Sequence, residues 1–193
     1  MSVRKISTAS ILSPAYKNSK IWDGETFPGY FESIASVIVD ASGASSVSFS
    51  NIPQNYTHLQ VRITSLSPSL TSGLLYFNGG AGTYAWHELR GNGSTASATS
   101  GTNTNILYTT YNETSTVSYT GAAIVDILDY TNTNKNKTIR VLSGSDANGA
   151  GSVYLRSGFS TDTSAISSLG FIVSGGGNWA QYSQFALYGI RGA

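Results

Sequence analysis

The chain has 193 residues, of which 40% are hydrophobic and 11% are charged. This length accommodates one β-sandwich or barrel but not two such domains, and the 12 Tyr, 7 Phe and 3 Trp exclude a disordered chain. A net charge of +1 excludes strong attraction to nucleic acid or anionic membranes, and the lack of Cys excludes disulfides.

Residues 1–29 differ in composition from the rest of the chain. Pro14 and Pro28 interrupt any long helix, and no apolar run is long enough for a signal peptide or a membrane helix. We therefore expect a soluble protein with an extended N-terminal arm that binds another subunit. The arm would use the apolar residues Ile11, Leu12, Tyr16, Ile21, Trp22 and Phe27 and the basic residues Arg4, Lys5, Lys17 and Lys20. The alternative is a strap that packs across its own domain.

Apolar and polar residues begin to alternate after residue 30, as in half-buried β-strands. The clearest stretch is HLQVRITSL, in which Leu59, Val61 and Ile63 share one face. SSVSFS alternates in the same way, with Val47 and Phe49 on one face. Further on, the small residues 92–105 predict an exposed loop.

The stretch AAIVDILDY is apolar on both faces apart from Asp126, which predicts a central strand covered on each side. KTIRVLSG follows it after a turn rich in Asn, Thr and Lys. The whole chain contains about ten such segments at regular spacing and no sustained helical period. We therefore predict an all-β fold, an antiparallel two-sheet β-sandwich of jelly-roll type, over residues 30–193.

Side chains that could perform catalysis are few. Asp126 and Asp129 stand three positions apart, which would place them on opposite faces of a strand rather than in one cleft. A buried, hydrogen-bonded Asp126 and a turn-forming Asp129 explain them better. His58 and His87 lie on separate predicted strands without a second ligand at metal-binding spacing. We expect no catalytic residue, no metal ligand set and no cofactor, and hence no enzyme.

Aromatic residues in or beside loops allow two interpretations. Their rings could form a platform on which a sugar stacks, or they could fill the core or a subunit interface. The residues are Tyr84, Trp86, Tyr108, Tyr111, Tyr119, Trp179 and Tyr182.

Several motifs occur in order from residue 31 to residue 190. They read FESI and IPQNYTHLQVR within residues 31–62, ILDYTNTNKNKTIR at 127–140, SGSDANGAG at 143–151 and WAQYSQFALYGI at 179–190. In this combination the chain resembles a group of virion structural proteins of tailed, cyanophage-like bacteriophages that carry a jelly-roll β-sandwich module. The resemblance covers residue 30 to the end of the chain, and residues 1–29 are not part of it.

The resemblance implies a β-sandwich that is built into a phage particle, is made in the host cytoplasm and is released by lysis. We expect a capsid decoration (cement) protein, a homotrimer that bridges neighbouring copies of the major capsid protein. One alternative is a tail-fibre or baseplate component with tail proteins as partners. An alternative of another class is a carbohydrate-binding module for host surface glycans. We expect no binding to nucleic acid or membrane.

Overall fold

The computed structural model describes residues 30–66, 71–80, 82–104, 107–112, 120–146 and 150–192. The predicted arm, residues 1–29, lies outside them. The described part contains twelve β-strands and one 3-10 turn at Ser174–Gly176. The strands are β1 (Phe31–Ile38), β2 (Ser46–Phe49), β3 (His58–Ser65), β4 (Thr71–Phe77), β5 (Thr83–Gly91), β6 (Ala96–Thr104), β7 (Leu107–Asn112), β8 (Gly121–Leu128), β9 (Lys137–Asp146), β10 (Gly151–Ser160), β11 (Leu169–Val173) and β12 (Gln184–Ile190).

The strands form two antiparallel sheets. The large sheet has eight strands in the order β1-β12-β3-β8-β9-β10-β5-β6, and the small sheet has four in the order β2-β11-β4-β7. The prediction of an all-β, antiparallel two-sheet sandwich is confirmed.

Four of the strand pairs are nested within one another along the chain. β1 pairs with β12, β2 with β11, β3 with β8 and β4 with β7, all antiparallel. A long hairpin that winds around two sheets in this way is a jelly roll. Two further hairpins, β5–β6 and β9–β10, are inserted into this winding and widen the large sheet by four strands.

The core lies between the two sheets. On β3 the residues Leu59, Val61 and Ile63 are at most 2% exposed, as the alternation predicts. Phe171 of the small sheet packs on Phe185 of the large sheet, with ring centroids 5.4 Å apart. These contacts belong to one hydrophobic core to which both sheets contribute.

The prediction of a loop at residues 92–105 is wrong for residues 96–104. Residues Ala96–Thr104 form strand β6, which pairs with β5 through nine successive residues. Asn92 starts the connecting turn, because its side-chain oxygen accepts a hydrogen bond from the Thr95 N–H at 2.8 Å. The small side chains of β6 give no hydrophobic alternation, so the backbone pairing that holds the strand leaves no signal in the sequence.

Among the described residues β8 is covered on one face, whereas the sequence predicts a strand covered on both. Val125 and Ile127 point into the core and are fully buried. Ile124, on the other face, is 40% exposed. The small sheet covers one side of the large sheet, and the described residues leave the other side, the outer face, open at β8.

A candidate interaction surface on the large sheet

Four large apolar side chains form a straight row across the outer face. Ile124 on β8 faces Leu142 on β9, Leu142 faces Leu155 on β10, and Leu155 faces Leu89 on β5. Residues that are directly opposite in a sheet point to the same side. The four residues are between 40% and 55% exposed. We call this row the apolar ridge.

A second row of mostly small residues runs parallel to the ridge, two positions along each strand. It consists of Ala122, Gly144, Val153, Gly91 and Ala96, which are successive partners across β8, β9, β10, β5 and β6. Two shallow depressions of about 540 Å³ and about 400 Å³ lie along it, both lined by Ala122, Gly144 and Val153. We call this row the trough.

The pattern of inward and outward residues on β10 is the reverse of the usual one. Ser152 and Arg156 are buried, whereas Val153 and Leu155 on the same strand are 59% and 53% exposed. An ordinary half-buried strand directs its apolar residues inward and its charged residues outward. This strand therefore buries a charged side chain and exposes its aliphatic side chains on the outer face.

A polar cluster on the inner side of β5 and β10 makes this reversal tolerable. Arg156 forms an ion pair with Glu88, and the two side chains are 4% and 10% exposed. The Arg156 guanidinium also lies 4.6 Å from the centroid of the Tyr154 ring. Arg90 donates to the Ser152 hydroxyl at 3.0 and 3.1 Å. Because Arg156 is paired with Glu88 and Arg90 is hydrogen-bonded to Ser152, β5 and β10 keep their alternation with the apolar residues outside.

The outer face continues across β3, β12 and β1 as an aromatic and cationic stack. Arg62 is the partner of Ile124 across β3 and β8, so it extends the ridge by one strand. Its guanidinium lies 5.2 Å from the Phe31 ring centroid and 5.4 Å from that of Tyr188. The two rings stack at 4.8 Å. The ridge is thus bordered by groups that combine apolar area with a charge, as at many interface rims.

The described aromatic residues of the proposed glycan platform do not lie together on the surface. Tyr84 and Trp179 are 0% and 1% exposed, which corrects their assignment to an open platform. Trp179 packs edge-on against Phe185 with ring centroids 5.1 Å apart. The Tyr84 hydroxyl accepts the Phe77 N–H at 2.9 Å, and burial raises the pKa of Tyr84 to about 12. Both side chains belong to the core.

The two other described candidates, Trp86 and Tyr182, differ in exposure. Trp86 is half-buried beside Gly101 on the neighbouring strand. Tyr182 is 70% exposed and has a φ of 71°, a left-handed conformation that is uncommon for a bulky residue. Tyr108 and Tyr111 lie on β7, but their side chains, together with Tyr119 and all the arm residues, lie outside the described residues.

The residues considered for catalysis have structural partners. Asp126 accepts a hydrogen bond from the Gln60 amide at 2.8 Å and is half-buried on the outer face rather than fully buried. Asp129 follows β8 in a turn, where a hydrogen bond from Lys135 holds its pKa below the ordinary value. Its N–H donates to His58 Nδ1 at 2.9 Å. The described part of the chain contains no group of three His, Cys, Asp or Glu residues placed to hold a metal ion.

The comparisons with known proteins are negative. No family model, no curated protein and no solved structure matches this chain. In the described ranges, no helix has the length and apolar character needed to cross a membrane.

Proposed function

We propose that this chain is a structural component of a bacteriophage particle, specifically a capsid decoration protein that bridges and stabilises neighbouring shell subunits. The observation that carries the proposal is the reversed pattern of β10, with Arg156 buried and Leu155 exposed. Such an arrangement suits a protein whose outer face is completed by another surface. The motifs between residues 31 and 190 that resemble virion proteins support the same role.

The mechanism is adhesion. Burial of apolar surface is the main favourable contribution to most protein association, so a face with an apolar ridge is a source of contact energy. The four residues of the ridge carry no ionisable group, and contacts of this kind depend little on salt. Residues 1–29 would add a second contact through their apolar and basic side chains, and no enzymatic step is involved.

The location of the protein in purified particles tests this proposal. Labelled antibody on the head, with a copy number that scales with the number of shell subunits, is the expected result. Labelling of the tail with a low copy number would assign the chain to the fibre or baseplate instead. Absence of the chain from purified particles would refute a virion role altogether.

The carbohydrate-binding alternative receives limited support from the described aromatic candidates. Among the described aromatic candidates, Tyr182 is the exposed one and Trp86 is half-buried. Binding to a glycan array that is lost in Tyr182→Ala, with the fold retained, would favour that alternative over the structural role.

A further inference from the structure

Two Asn-Gly pairs lie in turns of the described chain, and their surroundings differ. Asn78-Gly79 follows β4, and Asn92-Gly93 follows β5. A third pair, at 148–149, lies outside the described residues. We propose that Asn92 is a site of spontaneous modification, at which water converts the asparagine to aspartate and isoaspartate, and that the isoaspartate form releases the start of β6. The reaction needs no partner and no particle, so it can fail or succeed independently of the proposed virion role.

The nucleophile of this reaction is the backbone nitrogen that follows the asparagine. After losing its proton to a base in the solvent, the Gly93 nitrogen attacks Asn92 Cγ, and an N–Cγ bond forms while negative charge develops on Oδ1. The Cγ–Nδ2 bond then breaks, and Nδ2 leaves as ammonia with a proton from water. Water opens the resulting cyclic imide at one of its two carbonyl carbons, which gives aspartate or isoaspartate. Glycine favours the attack because it has no Cβ to hinder the approach to its nitrogen.

The Asn92 side-chain oxygen lies where three donors can stabilise this charge. It accepts hydrogen bonds from the Thr95 N–H at 2.8 Å and from the Ser94 N–H and hydroxyl, both at 3.1 Å. Donors aimed at an oxygen that becomes negative lower the barrier to attack on its carbon, as in an oxyanion hole. All three donors belong to the same turn as Asn92, so they move with it and stay bonded as Cγ becomes tetrahedral.

The nucleophile and the leaving group of this site are open to solvent. Asn92 and Gly93 are exposed, and a side chain added at Gly93 would meet nothing within 4 Å. Within the described ranges, neither Asn92 Nδ2 nor the Gly93 N–H donates a hydrogen bond. Base and water therefore reach the Gly93 nitrogen, and ammonia leaves without breaking a bond to the rest of the protein.

Asn78 is also followed by glycine, but its side chain is held by a distant segment of the chain. Its Nδ2 donates to the Ala165 carbonyl oxygen at 3.0 Å, and its Oδ1 accepts the Ser167 and Ser168 N–H groups at 2.9 and 3.3 Å. Its own N–H donates to the Ser168 oxygen at 3.1 Å. Loss of ammonia from Asn78 must break contacts to another segment, so it requires local opening of the sandwich. Asn78 is therefore a matched control within the same molecule.

Isoaspartate at position 92 loosens β6 because it lengthens the connection between two paired strands. Residues 92–95 join Gly91 to its partner Ala96. Isoaspartate routes the backbone through Cγ, which adds a carbon to this short turn. Since β6 is held by backbone pairing to β5 rather than by large side chains, the disturbance should reach Ala96 first. Both products also add a negative charge to the depression that is lined by residue 92 and Asp146.

Hydrogen exchange followed by mass spectrometry tests the effect on β6. The aged full chain should exchange the β6 amides faster than the fresh chain. Asn92→Asp carries the new charge on a normal backbone and should exchange like the fresh chain. Asn92→Gln is the control for ageing, because its longer side chain forms a cyclic imide far more slowly, so its β6 amides should exchange alike before and after incubation. Unchanged exchange in the aged parent chain would refute the release of β6.

Peptide mapping by mass spectrometry of the full chain, incubated at mildly alkaline pH, tests the modification itself. In the folded chain, aspartate and isoaspartate should accumulate at position 92 about tenfold or more faster than at position 78, because position 78 reacts only after local opening. In urea, the two positions should react at similar rates. Equal rates in the folded chain would overturn the proposal. So would an Asn92 that stays intact in the folded chain for as long as the urea-unfolded chain takes to react.

Discussion

Leu142 and Leu155 face each other across β9 and β10, and each is 53% exposed. The residues next to them, Val141 and Arg156, also face each other and are 1% and 3% exposed on the inner side. A shift of β10 by one residue would turn Leu155 to the inner side and Arg156 to the outer face. The pairing of Arg156 with Glu88 selects the phase that leaves the leucines outside.

Truncating each of the two isoleucines of β8 tests how well the two faces of the strand are covered. Ile127→Ala removes a fully buried side chain and should lower the free energy of unfolding by about 2–5 kcal/mol. Ile124→Ala, on the same strand but 40% exposed, should cost about 1 kcal/mol or less. Urea denaturation at low protein concentration gives both values. Equal costs would mean that the outer face is covered in the isolated chain.

The buried ion pair of the inner cluster should be essential for stability. Glu88→Gln leaves the Arg156 guanidinium buried without a compensating charge, and we expect a loss of about 3 kcal/mol in the free energy of unfolding. Glu32→Gln is the control, because Glu32 and Arg191 form a more exposed pair 3.6 Å apart, worth about 1 kcal/mol or less. Similar losses for the two variants in chemical denaturation would contradict this account.

Lys137 should stabilise the protein through its ammonium group. It is 1% exposed, and its Nζ donates to the carbonyl oxygens of Asn132 and, at 3.0 Å, Thr163. Lys137→Met keeps the length of the side chain but leaves both carbonyls without this donor, which should cost about 1–3 kcal/mol. Lys135→Met removes an exposed ion pair with Asp129 and should cost about 1 kcal/mol or less. Thermal melts of the two variants should therefore differ clearly.

Asp162 should contribute to stability in a pH-dependent way. The Ser164 N–H donates to its carboxylate at 2.9 Å, and this backbone hydrogen bond is the main cause of its lowered pKa. A carboxyl group with a lowered folded pKa stabilises the protein above its unfolded pKa. That contribution is lost as the pH falls from about 5 through the folded pKa.

The variant Asp162→Asn can still accept the hydrogen bond but does not titrate. The decline in unfolding free energy between pH 7 and pH 2.5 should therefore be smaller in the variant than in the parent chain. Urea titrations at both pH values measure the difference. An identical decline would mean that this carboxylate plays no part in acid denaturation.

Much of the fold follows from the sequence, and the reasons differ from strand to strand. Leu59, Val61 and Ile63 alternate with polar residues, so both the strand and its buried face could be predicted. Asp129 could be assigned to a turn because short polar side chains favour such positions. β6 could not be predicted, because its Ala, Ser, Thr and Gly residues alternate in no physical property and are held by backbone hydrogen bonds to β5.

The candidate surface was largely hidden from sequence reasoning. On β10 the sequence alternates between Val153 and Leu155 on one face and Tyr154 and Arg156 on the other. Each face has an apolar residue, so the alternation does not show which face is buried. The choice depends on Glu88, which is distant in the chain and adjacent only in the folded sheet. The one signal in the sequence is AAIVDILDY, because its apolar residues on both faces predict a cover on each side, and the described residues cover one side. Tyr84 and Trp179 were ambiguous because aromatic rings suit cores and platforms equally.

The nested winding has a consequence for synthesis. β12, the last of the described strands in chain order, is inserted between β1 and β3, which precede it by more than 100 residues. Until it arrives, the edge of β3 exposes unsatisfied backbone groups, and β1 has no partner among the described strands. The sandwich can therefore close only after β12 has been synthesised, and a chain that stops short of residue 184 should need chaperone protection rather than folding on its own.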